Sequence, residues 1–202
     1  QVYNVVASAS ICIALGMDSN LIFKSLGYLK PARGRMEVLS ETKNKALVII
    51  DYAHTPVALK SALKSIQEII GRERIITLFG CGGDRDKNKR KIMGEIANEY
   101  SDIVIVTDDN PRNEIPSNIR SEILSGCPTA TEIPNRDKAI KYAVSLLKKN
   151  DLLLIAGKGH ETFQAVGIET LPFDDYTVAK EAIKNIEKSG IINWSLYGQK
   201  KI

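Results

Sequence analysis

The sequence predicts an α/β fold: a mostly parallel sheet with helices on both faces. Three observations predict it. The short continuous apolar runs "ALVIID" (46–51), "RIITLF" (74–79), "DIVIVT" (102–107) and "DLLLIAG" (151–157) read as strands buried on both faces. Between them, apolar residues recur at helical spacing. Each run stops at a polar or glycine-rich cluster, the place where such folds bind ligands, beyond the carboxyl ends of the strands.

In chain order, Val2, Val5, Val6, Ala9 and Ile13 form a first helical stripe. Ser19 ahead of Ile22, Leu26 and Leu29 predicts a second helix with Ser19 as its cap. "LKPARGRME" interrupts the pattern with Pro31 and Gly34 and predicts a boundary, dividing residues 1–32 from 33–190. After the strand 46–51, Thr55 and Pro56 read as cap and first residue of a helix carrying Leu59, Leu63, Ile66 and Ile70. The strand 74–79 ends at Gly80, Gly82 and Gly83, and Ile92, Ile96 and Tyr100 mark the next helix. A short helix around Ile119 and Ile123 follows the strand 102–107, and "TATEI" (129–133) reads as a further strand. Ile140, Val144 and Leu147 mark a helix before the strand 151–157. "FQAVGIETLPF" adds a hairpin-like edge pair around Gly167. The last helix carries Ala179, Ile183 and Ile186, with Asp174 or Asp175 as its cap. The tail 191–202 has no assignable pattern.

The 202 residues, 44% hydrophobic and 26% charged, suit one globular domain plus an extension. A net charge of +4 permits anionic ligands such as phosphates. No RNP, zinc-finger or aromatic-interleaved basic pattern points to nucleic acid. Cys12, Cys81 and Cys127 stand far apart, without metal-ligand spacing, which fits a reducing, cytoplasmic compartment. No apolar run approaches a membrane span, and the N-terminus lacks signal-peptide form. The chain opens at Gln1 within a helical pattern, so a longer parent protein is expected.

Four polar clusters should meet at one sheet edge: "DYAH", "GCGGDRD", "TDDNPR" and "AGKGH". "GCGGDRDKNKR" is not a P-loop, since GxxxxGK[ST] spacing is absent throughout. Its glycines allow close backbone approach and Arg85 presents a planar fork to a carboxylate or phosphate; the alternative is a flexible solvated turn. Lys87, Lys89, Arg90 and Lys91 read as a solvated face. Cys81 has no acid or base partner and is not read as a nucleophile. Asp51 could accept from ribose hydroxyls, and His54 could pack on a base or act in proton transfer, unless it is structural. In "AGKGHE", Gly157 and Gly159 open the backbone while Lys158, His160 and Glu161 crowd one turn, placing Glu161 to receive an ammonium.

Five stretches in order, "GRMEVL" (34–39), "DYAHTPVAL" (51–59), "FGCGGDRDKNKR" (79–90), "TDDNPRNE" (107–114) and "AGKGHETFQ" (156–164), resemble the Mur ligases of peptidoglycan synthesis. The resemblance implies a three-domain enzyme in which ATP with Mg2+ phosphorylates the acyl end of UDP-MurNAc-L-Ala-D-Glu and an amino group then attacks the acyl phosphate. It implies that residues 33–190 are the Rossmann-like C-terminal domain that receives the amino acid, and that residues 1–32 are the helical end of the central ATPase domain. The missing N-terminal and central domains would hold the UDP end, the P-loop and most of the nucleotide and metal, so this piece should not catalyse alone, and no catalytic or metal residue is assigned within it.

By the same resemblance, Arg85, Asp109, Asn110, Pro111, Arg112, Gly157 and Glu161 match contacts to the incoming amino acid. Asn4, Arg35 and Asp51 match positions associated with the nucleotide, with His54 beside them. The DNPR form is similar to that of family members adding meso-diaminopimelate. That molecule is lysine with an extra distal carboxylate, which a guanidinium meets with two parallel hydrogen bonds. Lysine would leave Arg112 unpaired, and a site built to bond a group can reject an analogue lacking it by about 10⁴-fold or more. Two rival readings stand beside this one: another Mur or folylpolyglutamate-type ligase domain, and an amino-acid-binding module without catalysis.

Overall fold

A computed structural model describes residues 2–42, 45–69 and 74–189. Ile70 and the tail 191–202 lie outside the described residues. The chain divides into two units, the first ending at Ala32 and the second beginning at Arg33.

The first unit holds α1 (Val2–Ala14) and α2 (Ser19–Leu26). The cap of α2 is Asp18 rather than Ser19. Asp18 is extended and its Oδ1 accepts from the Leu21 amide at 2.9 Å, which leaves Ser19 as the first helical residue.

The second unit contains β1 (Glu37–Glu41), β2 (Leu47–Asp51), α3 (Pro56–Ile69), β3 (Ile75–Phe79), α4 (Asn88–Tyr100), β4 (Ile103–Val106) and α5 (Pro116–Leu124). These are followed by β5 (Thr131–Glu132), α6 (Arg136–Ser145), β6 (Leu152–Ala156), β7 (Phe163–Val166), β8 (Glu169–Pro172) and α7 (Asp175–Ser189). The main sheet runs β1-β2-β6-β3-β4-β5, parallel except for β1, which is antiparallel to β2. Strand residues alternate between two cores. Ile49, Phe79, Val106 and Leu154 pack under α3, α4 and α5, while Ile50, Leu78, Ile105 and Ile155 pack against α6 and α7. The expectation of a mostly parallel sheet covered on both faces therefore holds, and the chain returns through α6 to insert β6 between β2 and β3.

Three expectations about elements differ. β1 carried no sequence signal as a strand, because a short edge strand with Glu at both ends lacks an apolar run. The segment 129–133 yields only two strand residues. The hairpin around Gly167 forms its own two-stranded sheet instead of extending the edge of the main one. Its β7 instead lies beside the 109–112 loop, bridging Arg112 to Val166.

The helix α4 is also rotated from its expected stripe. Ile92 is exposed, and the buried positions are Arg90, Met93, Gly94, Ile96 and Ala97. Arg90 is therefore not on a solvated face: it is 0% exposed and donates to Glu114, Glu122 and the Gly82 carbonyl. Its aliphatic stem shares the stripe of Met93 and Ala97, while its head reaches carboxylates on the neighbouring loop and helix.

Of the two candidate caps for α7, Asp174 takes the role, accepting from the Tyr176 amide (3.1 Å) and the Thr177 hydroxyl (2.8 Å). Asp175 points inward. Its two oxygens accept from Arg136 Nε and Nη2 at 2.7 and 2.8 Å, with both side chains wholly buried. Removing one partner of such a pair strands a buried charge. Asp175→Ala is expected to lower unfolding free energy by about 3–5 kcal/mol, read as a fall in the urea midpoint at unchanged slope.

Candidate functional site

The registers bring the carboxyl ends of the strands level. Asp51 pairs with Ala156 across β2 and β6, and Phe79 with Val106 across β3 and β4. The loops that follow hold all four polar clusters, as the topology of open parallel sheets requires.

The loop after β4 is built as a strand-like extension against the hairpin. The Arg112 amide donates to the Ala165 carbonyl (3.1 Å) and the Gly167 amide to the Arg112 carbonyl (2.7 Å). Gln164 Nε2 donates to the Asp109 carbonyl, and the Ala165 amide to Asn110 Oδ1 (3.0 Å). These contacts hold Arg112 at a φ of +50°, an uncommon setting for a residue with a side chain. The loop after β3 closes on the same motif: the Gly83 amide donates to the Asn110 carbonyl (2.9 Å), and Arg112 Nη1 donates to the Gly83 carbonyl (2.8 Å). A side chain on Gly83 would fall inside the Pro111 carbonyl group, so only glycine permits this approach.

The acid pair at the end of β4 splits. Asp108 turns to Arg120 and away from the motif, and burial, opposed by that guanidinium, leaves its carboxyl above the ordinary range. Asp109 stays buried beneath the motif, its Oδ1 accepting from the Asn110 amide at 2.7 Å. Gly157, at a φ of +112°, packs so close that an added Cβ would lie 2.9 Å from Asp109 Oδ2.

Asn110 and Glu161 meet across the two loops, Asn110 Nδ2 donating to Glu161 Oε2 at 2.9 Å. Lys158, wholly buried, donates from Nζ to Asn110 Oδ1 (2.9 Å) and to Glu161 Oε2 (3.0 Å). Burial works to raise the Glu161 carboxyl, yet the bonds from Asn110 and Lys158 and the charges of Lys158 and Arg112 hold it below the usual carboxylate range. The loops that carry the Arg112 guanidinium and the ionised Glu161 carboxylate thus come together through Asn110 at the sheet rim. Arg85 sits on the adjoining loop, exposed, with Nη1 on the Asp84 carbonyl (2.9 Å).

The positions matched to a nucleotide fall in two places. Asn4 lies on α1, in the first unit. Arg35, Asp51 and His54 gather in the second unit around Tyr52. The Arg35 guanidinium lies 4.6 Å from the Tyr52 ring centroid, and the rings of His54 and His160 lie 4.5 and 5.1 Å from it. Asp51 is largely occupied by the fold: its oxygens accept from the Met36 and Ala53 amides at 2.7 and 2.8 Å. Burial raises its carboxyl, opposed by those amides and by Arg35. His54 Nδ1 sits 2.9 Å from the Tyr52 carbonyl, an intraloop contact.

Cys81 is buried, and desolvation pushes its thiol up to about 12, which agrees with no nucleophilic role. Sequence reasoning noticed Lys158 but assigned it no part, and it missed Tyr52 and Glu114. Glu114 links Arg90 to the glycine loop, accepting from the Asp84 amide at 2.6 Å.

The family profile described as "Mur ligase, glutamate ligase domain" matches residues 34–159. The UDP-N-acetylmuramoyl-L-alanyl-D-glutamate–2,6-diaminopimelate ligase of Agrobacterium fabrum is 49% identical over 191 residues, covering 95% of this chain and 39% of that protein. The protein of the same name from Rhizobium meliloti is 47% identical over 183 residues, covering 91% of this chain and 37% of its own length. A solved structure bearing that name superposes with a TM-score of 0.72 at 34% identity, covering 92% of this chain and 38% of the other. The UDP-N-acetylmuramate-alanine ligase of Thermotoga maritima shares the fold, with a TM-score of 0.67 at 18% identity. The chain spans under two fifths of the length of these relatives.

The bonds from Arg90 and the Asp84 amide hold the Glu114 carboxyl down at about 2, against an ordinary value of 4.5. A depressed folded-state value means the stabilisation is complete above pH 4.5 and lost as pH falls through 2. The stability difference between wild type and Glu114→Gln, followed by thermal unfolding across pH, is expected to be largest near neutrality and to shrink through that acid window.

Proposed function

Because the chain belongs to the Mur ligase family, we propose that its second unit receives the amino acid in an ATP-dependent ligase that adds meso-diaminopimelate to UDP-MurNAc-L-Ala-D-Glu. Residues 33–190 are then the C-terminal domain, and residues 1–32 the helical end of a central ATPase domain. The longer protein is an enzyme of bacterial peptidoglycan synthesis in the cytoplasm. No helix among the described residues is long and apolar enough to cross a membrane.

The observation that carries the reading is the convergence of the Arg112 and Glu161 loops through Asn110, whose amide donates to Glu161 and whose carbonyl accepts from Arg112. A zwitterionic end group needs a cation and an anion at fixed separation, and two loops from different strands supply them. Anchoring Arg112 Nη1 on the Gly83 and Asn110 carbonyls leaves the Nη2 and Nε edge for a carboxylate. Glu161 takes the neighbouring ammonium. Asp109, Asn110, Pro111 and Gly157 shape the floor, and Arg85, exposed on the glycine loop, binds the other carboxylate of the amino acid.

ATP stands as co-substrate. Arg35, Tyr52 and His54 offer a cationic and aromatic edge suited to a nucleotide, while Asp51 retains spare lone pairs beside its two amide bonds. Asn4, on α1 of the first unit, is the remaining position that the family resemblance associates with the nucleotide. Magnesium is expected in the parent reaction. The described residues contain no group of three or more His, Cys, Asp and Glu able to hold a metal ion. The chemistry contributed by this chain is positioning: it holds the attacking amine in line with the acyl phosphate and, on closing over the central domain, excludes water.

In the full-length enzyme, Arg112→Ala is expected to lower the ratio of kcat/KM for meso-diaminopimelate over lysine about 100-fold, the loss of a charge-assisted contact worth roughly 3 kcal/mol. Steady-state kinetics with both amino acids check it; an unchanged ratio refutes the assignment of Arg112 to the distal carboxylate.

A further inference from the structure

Lys158 is a cation with no exposed surface in a loop that faces a ligand site. Its ammonium has two described acceptors, Asn110 Oδ1 and Glu161 Oε2. An ammonium only donates hydrogen bonds, and so does the backbone amide of Ala165, which meets the same Oδ1. The atom of Asn110 facing both must be its oxygen. An ionised carboxylate only accepts, so the atom facing Glu161 must be the Asn110 nitrogen. The orientation of this amide is therefore dictated by chemistry. A flipped amide would set an N–H against an ammonium and a backbone N–H, and an oxygen against a carboxylate.

We infer that Lys158 is a positioning residue for amino-acid selection: its buried ammonium fixes the polarity of Asn110 and the place of Glu161, so that the site offers a ligand an N–H donor and a carboxylate. The inference rests on the reading that this site takes diaminopimelate. One N–H of Asn110 goes to Glu161, and the other has no acceptor among the described residues, which suits an acceptor oxygen of the ligand. Glu161 spends part of one oxygen on Lys158 and Asn110 and keeps Oε1 for the incoming ammonium. Lys158 thus also serves as a resident counter-charge, holding Glu161 ionised before any ligand arrives. The charged groups acting on Glu161 are Lys158 and Arg112, and Arg136 feels it in turn from below.

The test is made on the full-length enzyme, following ADP release with meso-diaminopimelate as the varied substrate. In Lys158→Met, KM for diaminopimelate is expected to rise about tenfold or more, with kcat and the KM for ATP within roughly twofold of wild type. Without the ammonium, Glu161 protonates at higher pH, so the acid limb of kcat/KM for diaminopimelate is expected to move upward in pH. A merely structural lysine would lower kcat for all substrates together and leave that limb in place, and this result would overturn the inference. Asn110→Asp keeps the volume and puts a carboxylate oxygen opposite Glu161; it is expected to raise KM for diaminopimelate about tenfold or more as well. If that variant binds diaminopimelate as wild type does, amide polarity is not selected and the inference fails, whether or not Lys158→Met folds. A wild-type enzyme that releases no ADP with diaminopimelate would instead refute the underlying reading of the site.

Discussion

The loop edge beyond β4 and β6 depends on one guanidinium, that of Arg136. Arg136, wholly buried, is neutralised by Asp175 and still has donors to spare. It spends them on the Ala156 carbonyl at 3.0 Å and the Asp108 carbonyl at 3.4 Å. These are the last residue of β6 and a residue just past β4. Both strands have ended by this point, and the guanidinium supplies a donor to each of the two carbonyls. A single planar head thus terminates two strands at once and holds the starts of the loops that bear Gly157, Glu161 and Asn110. Burying an ion pair is costly unless every donor is used, and here the extra donors go where the loops need them.

Above that clamp, the charges of the site already have partners. Lys158 answers Glu161, and Arg112 rests on carbonyls, so no member is an uncompensated buried charge in the absence of ligand. Each keeps capacity for one more partner. The donors and acceptors of this edge therefore already stand in place. The hairpin β7–β8 ties down the loop: backbone bonds to Arg112 and the Gln164 side chain on the Asp109 carbonyl hold it while Arg112 keeps its positive φ.

The parts of the site differ in how far they could be read from the chain. The DNPR and AGKGHE stretches stood out because polar groups and glycines gathered where apolar runs stopped. Arg90 was misjudged because a basic run looks solvated, although its spacing of three and seven residues from Met93 and Ala97 put it on the buried stripe. Asp51 looked like a free carboxylate at a strand end, yet two backbone amides take it, one of them from a segment fifteen residues earlier. The strand β1 was invisible because an edge strand needs no apolar run.

By itself, the sequence determined the alternation of strands and helices, the parallel order of layers and the four clusters at one edge. Those follow from local periodicity and from where apolar runs end, and short-range patterns carry them. Tertiary structure alone decided that Asp108 leaves the site while Asp109 stays, that Asp175 serves Arg136 while Asp174 caps, and that Lys158 is an internal counter-charge. The two aspartate choices are between chemically identical neighbours, and each is settled by a guanidinium that another segment brings to one of the pair, as Asn110 is brought to Lys158, which no local pattern encodes.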